Sequence, residues 1–407
     1  MKILVTGAKG FVGKNLVENL KCIRDKKNLT RPNLSVSDIY EFDHDNSYEE
    51  LEKWTANADF IFHFAGVNRP DNKEEFYSTN VELTNTILGL LKKHNNNCPF
   101  MLSSSIQAQL SGRFANSEYG KSKLKAEASV INYYKETNSR VFIYRFPNIV
   151  GKWTRPNYNS AIATFCYNMA RSLPIKINDP NVELELLFID DLIDEMYNLL
   201  EGKPISAIAP DNISLICKSY NELKEQYDFY YKVPITYKTT LGNVVNLLKT
   251  YRQLAETLII PSFVNDSFER KLFTLYVSYL PSDKICFNYK SNSDYRGCFT
   301  ELLKNFGSGQ ISVNVINPGC TKGQHWHNSK WELFIVLKGE ALIRERQLST
   351  NKIVEFKVSG DNLKAVHMLP GYAHSISNLS DKDEVILLIW SNEIFDYNKP
   401  DTFYENV

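Results

Sequence analysis

The chain has no excess of either charge: lysine plus arginine and aspartate plus glutamate both number 47. Such a balance gives no ground for a nucleic-acid or membrane partner, since both attract a basic surface. No run of about eighteen apolar residues suggests a membrane-spanning helix. Met1 leads directly into KILVTGAKG, without the apolar stretch and cleavage site of an export signal. Cysteines number seven, an odd count, and are scattered without a CxxC pair. A disulfide framework is therefore not expected, and free thiols in a reducing cytoplasm are. Internal repeats and low-complexity tracts are also missing. What remains is a chain of 407 residues, long enough for two or three domains with sizeable cores.

The N-terminus reads as strand, glycine turn and helix. Lys2 to Thr6 is apolar, GAKGFVG follows, and NLVENLKCI is amphipathic. Gly7, Gly10 and Gly13 are spaced G-x-x-G-x-x-G. They allow a tight turn, close approach of backbone to a pyrophosphate, and close packing of helix on strand. The turn from Gly7 through Gly10, Phe11, Val12 and Gly13 is thus a candidate cofactor cradle, with the helix N-terminus facing the phosphates. DIYEFD (38–43) reads as a second strand. Asp43 at its end can hold the adenosine ribose hydroxyls, which favours NADH; His44 and Arg31 could instead meet the 2′-phosphate of NADPH. ADFIFHFAG (58–66) is a third strand, where Gly66 lets backbone pass near the cofactor and His63 is a packed, hydrogen-bonded core residue. Residues 76–91 form a helix carrying Asn80, and FMLSSS (100–105) is a fourth strand.

Tyr119 and Lys123 lie four apart in YGKSK and share a face if helical. An ammonium beside a phenol favours the phenolate and lowers its pKa. Such a tyrosine can exchange a proton with a carbonyl oxygen while a nicotinamide delivers hydride to its carbon. A serine at the end of FMLSSS can hold that oxygen. After Pro281 the pattern changes to short strands with Gly, Asn and Ser turns. There GCTKGQHWHNSKWELFIVLKG places His325 and His327 on one strand face. A turn at Asn328 and Ser329 lets Glu332 swing back to them, and His374 follows a Pro370-Gly371 turn. Three imidazoles and a carboxylate suit zinc, iron or nickel.

These segments carry resemblances. The glycine spacing, the serine strand and Tyr119-Lys123 resemble the extended short-chain dehydrogenases/reductases that act on nucleotide sugars. That resemblance implies Ser105, Tyr119 and Lys123 as catalytic residues, Asn80 as support for a proton relay, and Asn148 in RFPNIVGKW as a substrate contact. The short step from Ser105 to Tyr119 departs from the family and concerns the shape of the sugar pocket. The histidine segment resembles the cupins. SDYRGCFTELLKN, with Arg296 and Glu301, resembles deoxysugar epimerases in which the arginine meets a diphosphate. A surface ion pair of Arg296 with Asp294 or Glu301 is the plain alternative.

Together the chain resembles a bifunctional capsular-polysaccharide enzyme family. The matching stretches are TGAKGFVGKNL, FAGVNRP, LSSSIQA, YGKSKL, PNYNSAIATFC, VSYLPS, KGQHWH and PDTFYE. The resemblance implies an α/β fold, a Rossmann-type doubly wound parallel sheet at 1–281, followed by an all-β cupin barrel at 282–407. It implies a UDP-sugar substrate, C3 epimerisation of a UDP-4-keto-6-deoxy-N-acetylhexosamine by the cupin, and C4 reduction with NADPH to UDP-2-acetamido-2,6-dideoxy-β-L-talose. It further implies zinc (Zn2+) and a homodimer. Tyr372, Lys322 and His367 are candidate acid and base of the epimerisation. Other readings are a UDP-sugar 4-epimerase or dehydratase with bound NAD, and a non-catalytic sugar-nucleotide sensor, against which the intact serine, tyrosine and lysine set stands.

Overall fold

The structure is a computed structural model that describes residues 1–70, 72–217, 228–262 and 267–407. The chain divides into two compact units, 1–168 with 174–245, and 169–173 with 246–407.

In the first unit, strands β1 (Lys2–Thr6), β2 (Asp38–Phe42), β3 (Phe60–His63), β4 (Phe100–Ser105) and β5 (Val141–Phe146) alternate with helices. Strands β6 (Asn148–Val150), β7 (Glu183–Phe188), β8 (Tyr230–Tyr231) and β9 (Tyr237–Thr240) follow. The main sheet runs β2-β1-β3-β4-β5-β8, with every pair parallel. Parallel strands need crossover helices, and these cover both faces. Helix α1 (Phe11–Arg24) packs on one face through Leu16, Val17 and Leu20, against Ile3 and Val5. Helices α2 (Tyr48–Asn57), α3 (Leu83–Lys93) and α4 (Glu118–Thr137) lie on the other, where Leu51, Ile87, Leu91, Ala126 and Val130 meet Leu4 and Ile61. Successive strand residues point to opposite faces, so both sides of β1 are apolar. This is the expected doubly wound sheet. Strands β6, β7 and β9 form a separate small sheet, and β7 leads into helix α5 (Ile189–Leu200).

The second unit is dominated by antiparallel strands: β10 (Ser291–Asp294), β11 (Gly297–Asn305), β12 (Gly309–Ile316), β13 (Thr321–Trp326), β14 (Glu332–Lys338), β15 (Glu340–Gln347), β16 (Ile353–Ser359), β17 (Ala365–Met368), β18 (Tyr372–Asn378), β19 (Val385–Ser391) and β20 (Phe403–Tyr404). They form a sheet β10-β11-β12-β19-β14-β17 and a second sheet β16-β15-β18-β13-β20. Alternation is clear in β14, where Glu332, Phe334 and Val336 are buried and their neighbours less so. Phe334, Val336, Leu387 and Ile389 from one sheet and Ile343, Val358 and Ile376 from the other build the core. Residues 246–262 and 267–281, read from the sequence as part of the first domain, fall in this unit and include the helix Phe268–Val277.

Candidate functional sites

In the first unit the glycine turn is sterically fixed. Gly7 has φ +69°, and a Cβ there would lie 2.7 Å from Ala65 N. A Cβ on Gly13 would sit 2.1 Å from Gly7 O. A side chain at Gly7 would push the turn off the segment after β3, and one at Gly13 would push α1 off the turn. Asp43 at the end of β2 accepts from the Lys9 amide at 2.7 Å and from the His44 amide at 2.9 Å, so it ties the turn to β2. Burial opposes its ionisation, but the His44 ring and these amides outweigh it and lower its pKa. Arg31 lies elsewhere: it bonds Asn198 at 2.8 Å and stacks on Tyr197 of α5.

The catalytic candidates converge beyond β3 and β4. A Cβ on Gly66 would lie 2.8 Å from Asn80 Oδ1 and 3.0 Å from Lys123 Nζ, so any larger residue there would displace one of these side chains. Asn80 sits in a π-helical turn, Ser78–Glu82, which interrupts the expected continuous helix. Its amide donates to Val67 O at 3.1 Å and Ser122 Oγ at 2.9 Å, and its oxygen accepts from Val67 N at 2.9 Å. Such bulges commonly mark functional sites. Tyr119 and Lys123 share one face of α4, with the ammonium 5.8 Å from the ring centroid. Lys123 is 4 % exposed and donates to Ser103 O at 2.9 Å. Burial lowers its pKa to about 8, against the opposing pull of Glu127. Burial pushes the Tyr119 phenol up to about 12, with a hydrogen bond from Ser105 acting in the opposite sense. The phenol pKa is therefore raised, not lowered as expected: desolvation outweighs the hydrogen bond from Ser105.

The serines separate by role. Ser105 caps the short 3-10 turn Ile106–Gln109 and faces Tyr119. Ser104 instead donates to Glu127, a fully buried carboxylate that also holds Arg145 at 2.9 and 2.6 Å and Tyr230 at 2.9 Å. Arg145 continues to Asn212, which donates to Ala108 O at 2.8 Å beyond Ser105. This buried network was not foreseen. Glu127 follows Lys123 by one helical turn, which was its one signal in the sequence. His63 is packed as expected, between Thr6 Oγ1 at 2.7 Å and Thr84 Oγ1 at 2.9 Å. Asn148 opens β6 and is exposed.

In the second unit His325, His327, Glu332 and His374 come together, with ligand-capable atoms all within 4.8 Å of one another. A bulge achieves this. Gln324, at φ +62°, is inserted between Gly323 and His325, which brings His325 opposite His374 on β18. The ring centroids of these two lie 4.6 Å apart, and His327 lies 5.0 and 5.2 Å from them. Glu332 opens β14 in the opposite sheet after the expected turn, with Oε2 at 3.5 and 3.6 Å from Nε2 of His327 and His374. His327 Nε2 and both nitrogens of His374 are buried without a hydrogen-bond partner. Such orphaned atoms are costly unless a ligand satisfies them. Burial lowers His325 to about 4 and His374 to about 3, so both are neutral donors at pH 7. Burial alone would raise the pKa of Glu332, but His327 and Lys330, whose ammonium is at 2.9 Å, hold it well below the carboxylate range. Neutral imidazoles, a fixed anion and unpartnered nitrogens fit a divalent cation.

Arg296 sits at the tip of the β10–β11 hairpin, paired with Asp294 at 2.6 Å, which is the plain alternative noted above. Glu301 pairs with Lys304 at 2.8 Å and accepts from Gln310 at 3.1 Å. Lys322 donates to Asn314 Oδ1 at 2.7 Å. His367 is exposed between the buried Val366 and Met368, so it points away from the core and accepts from the Trp331 indole at 2.9 Å. Tyr372 opens β18 and is half-buried. Two acidic residues went unread. Glu345, nearly fully buried, stands opposite His374 across β15 and β18. Asp401, in PDTFYE, accepts from the amides of the 328–330 turn.

A doubly wound sheet with a glycine turn and a serine, tyrosine and lysine site defines a nicotinamide-dependent oxidoreductase. The chain belongs to the NAD dependent epimerase/dehydratase family, whose model matches residues 3–207, and residues 292–403 match the polysaccharide biosynthesis C-terminal domain. It is 35% identical over 403 residues, 99% of this chain and 98% of the relative, to a Pseudomonas aeruginosa protein named UDP-2-acetamido-2,6-beta-L-arabino-hexul-4-ose reductase. Among solved structures it resembles the capsular polysaccharide assembling protein CapF from Staphylococcus aureus, with 40% identity, a TM-score of 0.85 and full coverage of both chains.

Proposed function

We infer that this chain is a bifunctional enzyme of capsular polysaccharide precursor synthesis. The second unit, read as a metal-binding cupin, epimerises C3 of a UDP-4-keto-6-deoxy-N-acetylhexosamine. The first unit then reduces the C4 ketone to give UDP-2-acetamido-2,6-dideoxy-β-L-talose. One observation carries the reading: a single chain holds two unlike sites, each able to act on the same ketone.

In the first unit the ketone oxygen sits between Ser105 and Tyr119. A bound nicotinamide supplies the hydride. Ser105 donates a hydrogen bond to the oxygen, and Tyr119, protonated at neutral pH, passes its proton there as charge develops. Lys123 keeps its ammonium beside the phenol, which favours the phenolate that Tyr119 becomes. Asn80 bonds Val67 and Ser122 and so fixes the wall behind Lys123. Asn148 and the glycine turn remain the proposed contacts for sugar nucleotide and cofactor. NADPH is the proposed reductant, with NADH possible. Lys9, whose exposed ammonium pairs with Asp45, and His44, beside Asp43, are the proposed contacts of a 2′-phosphate, which the ionised Asp43 would oppose.

In the second unit the 4-keto group acidifies the proton on C3. His325, His327, Glu332 and His374 are the proposed ligands of one zinc ion. When bound, zinc supplies a positive charge in a site with little water. Arg296 and Glu301 are the proposed substrate contacts, the former by exchanging Asp294 for a diphosphate. Glu345 joins Tyr372 and Lys322 as a candidate for moving the C3 proton, and the outward-facing His367 is the weakest of these.

A homodimer is supported by the outer face of the six-stranded sheet. There Ile311, Trp390 and Leu333 lie side by side, next to Val313, Leu388 and Ile335. All six are half-buried in the single chain, and sheet faces left to water are usually polar. The seven free cysteines fit a reducing cytoplasm. Among the described residues no helix is long and apolar enough to cross a membrane.

The test is mass spectrometry of products formed from UDP-4-keto-6-deoxy-N-acetylhexosamine in deuterated water. Deuterium at C3 without NADPH, and a reduced product with it, are expected. A product reduced without any C3 exchange overturns the epimerase half. Interconversion at C4 without NADPH consumption would mean a 4-epimerase with bound NAD.

A further inference from the structure

We infer that Asp401 is a positioning residue for the metal centre, holding the ring of His327 and the turn that follows it so that His327 and Glu332 face the other ligands. The inference rests on the metal reading above and adds a residue that ligand spacing could not reveal.

The first observation is at the ring. His327 Nδ1 lies in hydrogen-bonding contact with the main-chain oxygen of Asp401, and Thr402 Oγ1 is 3.4 Å away. A carbonyl oxygen can only accept, so the proton sits on Nδ1. The lone pair is then on Nε2, the buried atom without a hydrogen-bond partner that faces Glu332. A free imidazole divides between two tautomers and rotates. Fixing both lowers the cost of binding a cation and raises the basicity of the ligand atom.

The second observation is at the turn. The Asp401 carboxylate accepts from Asn328 N at 2.9 Å, Ser329 N at 2.7 Å and Lys330 N at 2.9 Å, and from Ser329 Oγ at 3.3 Å. These amides span the reversal between His327, just past the end of β13, and Glu332, at the start of β14. Without an acceptor they would turn to water and the reversal would loosen. Asp401 therefore acts on one ligand through its backbone and on the next through its side chain. The arm 401–407 is itself docked. Its strand β20 pairs with β13, Tyr404 opposite His325 and Phe403 opposite Trp326, and Glu405 bonds Arg346.

A docked arm alone would give stability without affecting metal binding, so the two roles separate by measurement. The full-length protein is stripped of metal and zinc affinity is measured by competition with a chromophoric chelator. Asp401→Ala keeps the main-chain oxygen but removes the carboxylate that ties it and the turn together, and is expected to weaken zinc binding by about 10- to 100-fold. Asp401→Asn, which keeps one acceptor oxygen, is expected to fall between it and the wild type. Glu405→Gln loosens the far end of the arm and is expected to leave zinc affinity unchanged. Melting of each zinc-free protein shows whether the fold persists; if Asp401→Ala fails to fold, Asp401→Asn carries the comparison. Wild-type affinity in a folded Asp401→Ala or Asp401→Asn overturns the proposal, and so does an equal loss in Glu405→Gln. If the wild type itself takes up no zinc, the metal reading fails, and this proposal fails with it.

Discussion

The two sites differ in whether they bury a fixed charge. In the first unit, burial drives Tyr119 up to about 12 and Lys123 down to about 8, so both shifts oppose charge. In the second unit, burial likewise keeps His325 and His374 neutral, but Glu332 is held ionised by His327 and Lys330. A site that passes a proton needs groups whose charge can change. A site that holds a cation needs an anion already in place and lone pairs left unprotonated. The difference in electrostatics thus matches the difference in proposed chemistry.

The largest expected effect separates the two sites. Tyr119→Phe removes the proton donor and should lower NADPH oxidation by about 10²- to 10⁴-fold, the usual worth of general acid catalysis. C3 exchange in deuterated water should continue at the wild-type rate. Near-normal NADPH oxidation in this variant would remove Tyr119 from the mechanism. Loss of both activities would mean that the sites are not chemically independent.

The sites also differ in how legible they were. Tyr119 and Lys123 lie one helical turn apart, and Ser105 ends a strand, so regular geometry carries their placement. The same holds for His325 in β13 and His327 just past its end. What was missed depends on irregular backbone or long-range pairing. The π-helical turn at Asn80 and the bulge at Gln324 each insert one residue's worth of phase, and no periodicity announces them. Glu127 was hidden because its partners, Arg145 and Tyr230, come from other strands. Asp401 was hidden because it acts on a turn some seventy residues earlier. The lowered phenol pKa was misjudged for a related reason: a helix spacing shows which charge is near, but not how much water has been excluded.

A smaller effect probes how the first site is held. Glu127 and Arg145 form a buried ion pair, with Ser104 and Tyr230 completing the bonds of the carboxylate. Glu127→Gln leaves the guanidinium buried without its counter-charge and should destabilise the first unit by about 3–5 kcal/mol. Differential scanning calorimetry should show a lowered transition for that unit, and zinc affinity should be unchanged. A loss below about 1 kcal/mol, the scale of an exposed pair, would show that the interior there is effectively solvated.

The smallest expected effect is a pH limb, and its sign distinguishes the Lys123 ammonium from general unfolding. Burial lowers the Lys123 pKa from 10.5 to about 8, so the charge is present below about pH 8 and lost above it. If the ammonium supports Tyr119, kcat/KM for reduction should fall above about pH 8, by at most about tenfold per pH unit for one proton. Stability should move the other way. Between about pH 8 and 10.5 the unfolded chain holds more protons at this lysine than the folded chain does. Unfolding free energy therefore rises with pH across that window. Tyr119 opposes this only above its ordinary pKa of 10.0, since its folded pKa is raised. Activity that declines between pH 8 and 10 while the first unit grows no less stable would assign the limb to Lys123. A decline that tracks falling thermal stability would assign it to unfolding, and a flat profile to pH 10 would mean that the lysine acts through position rather than charge.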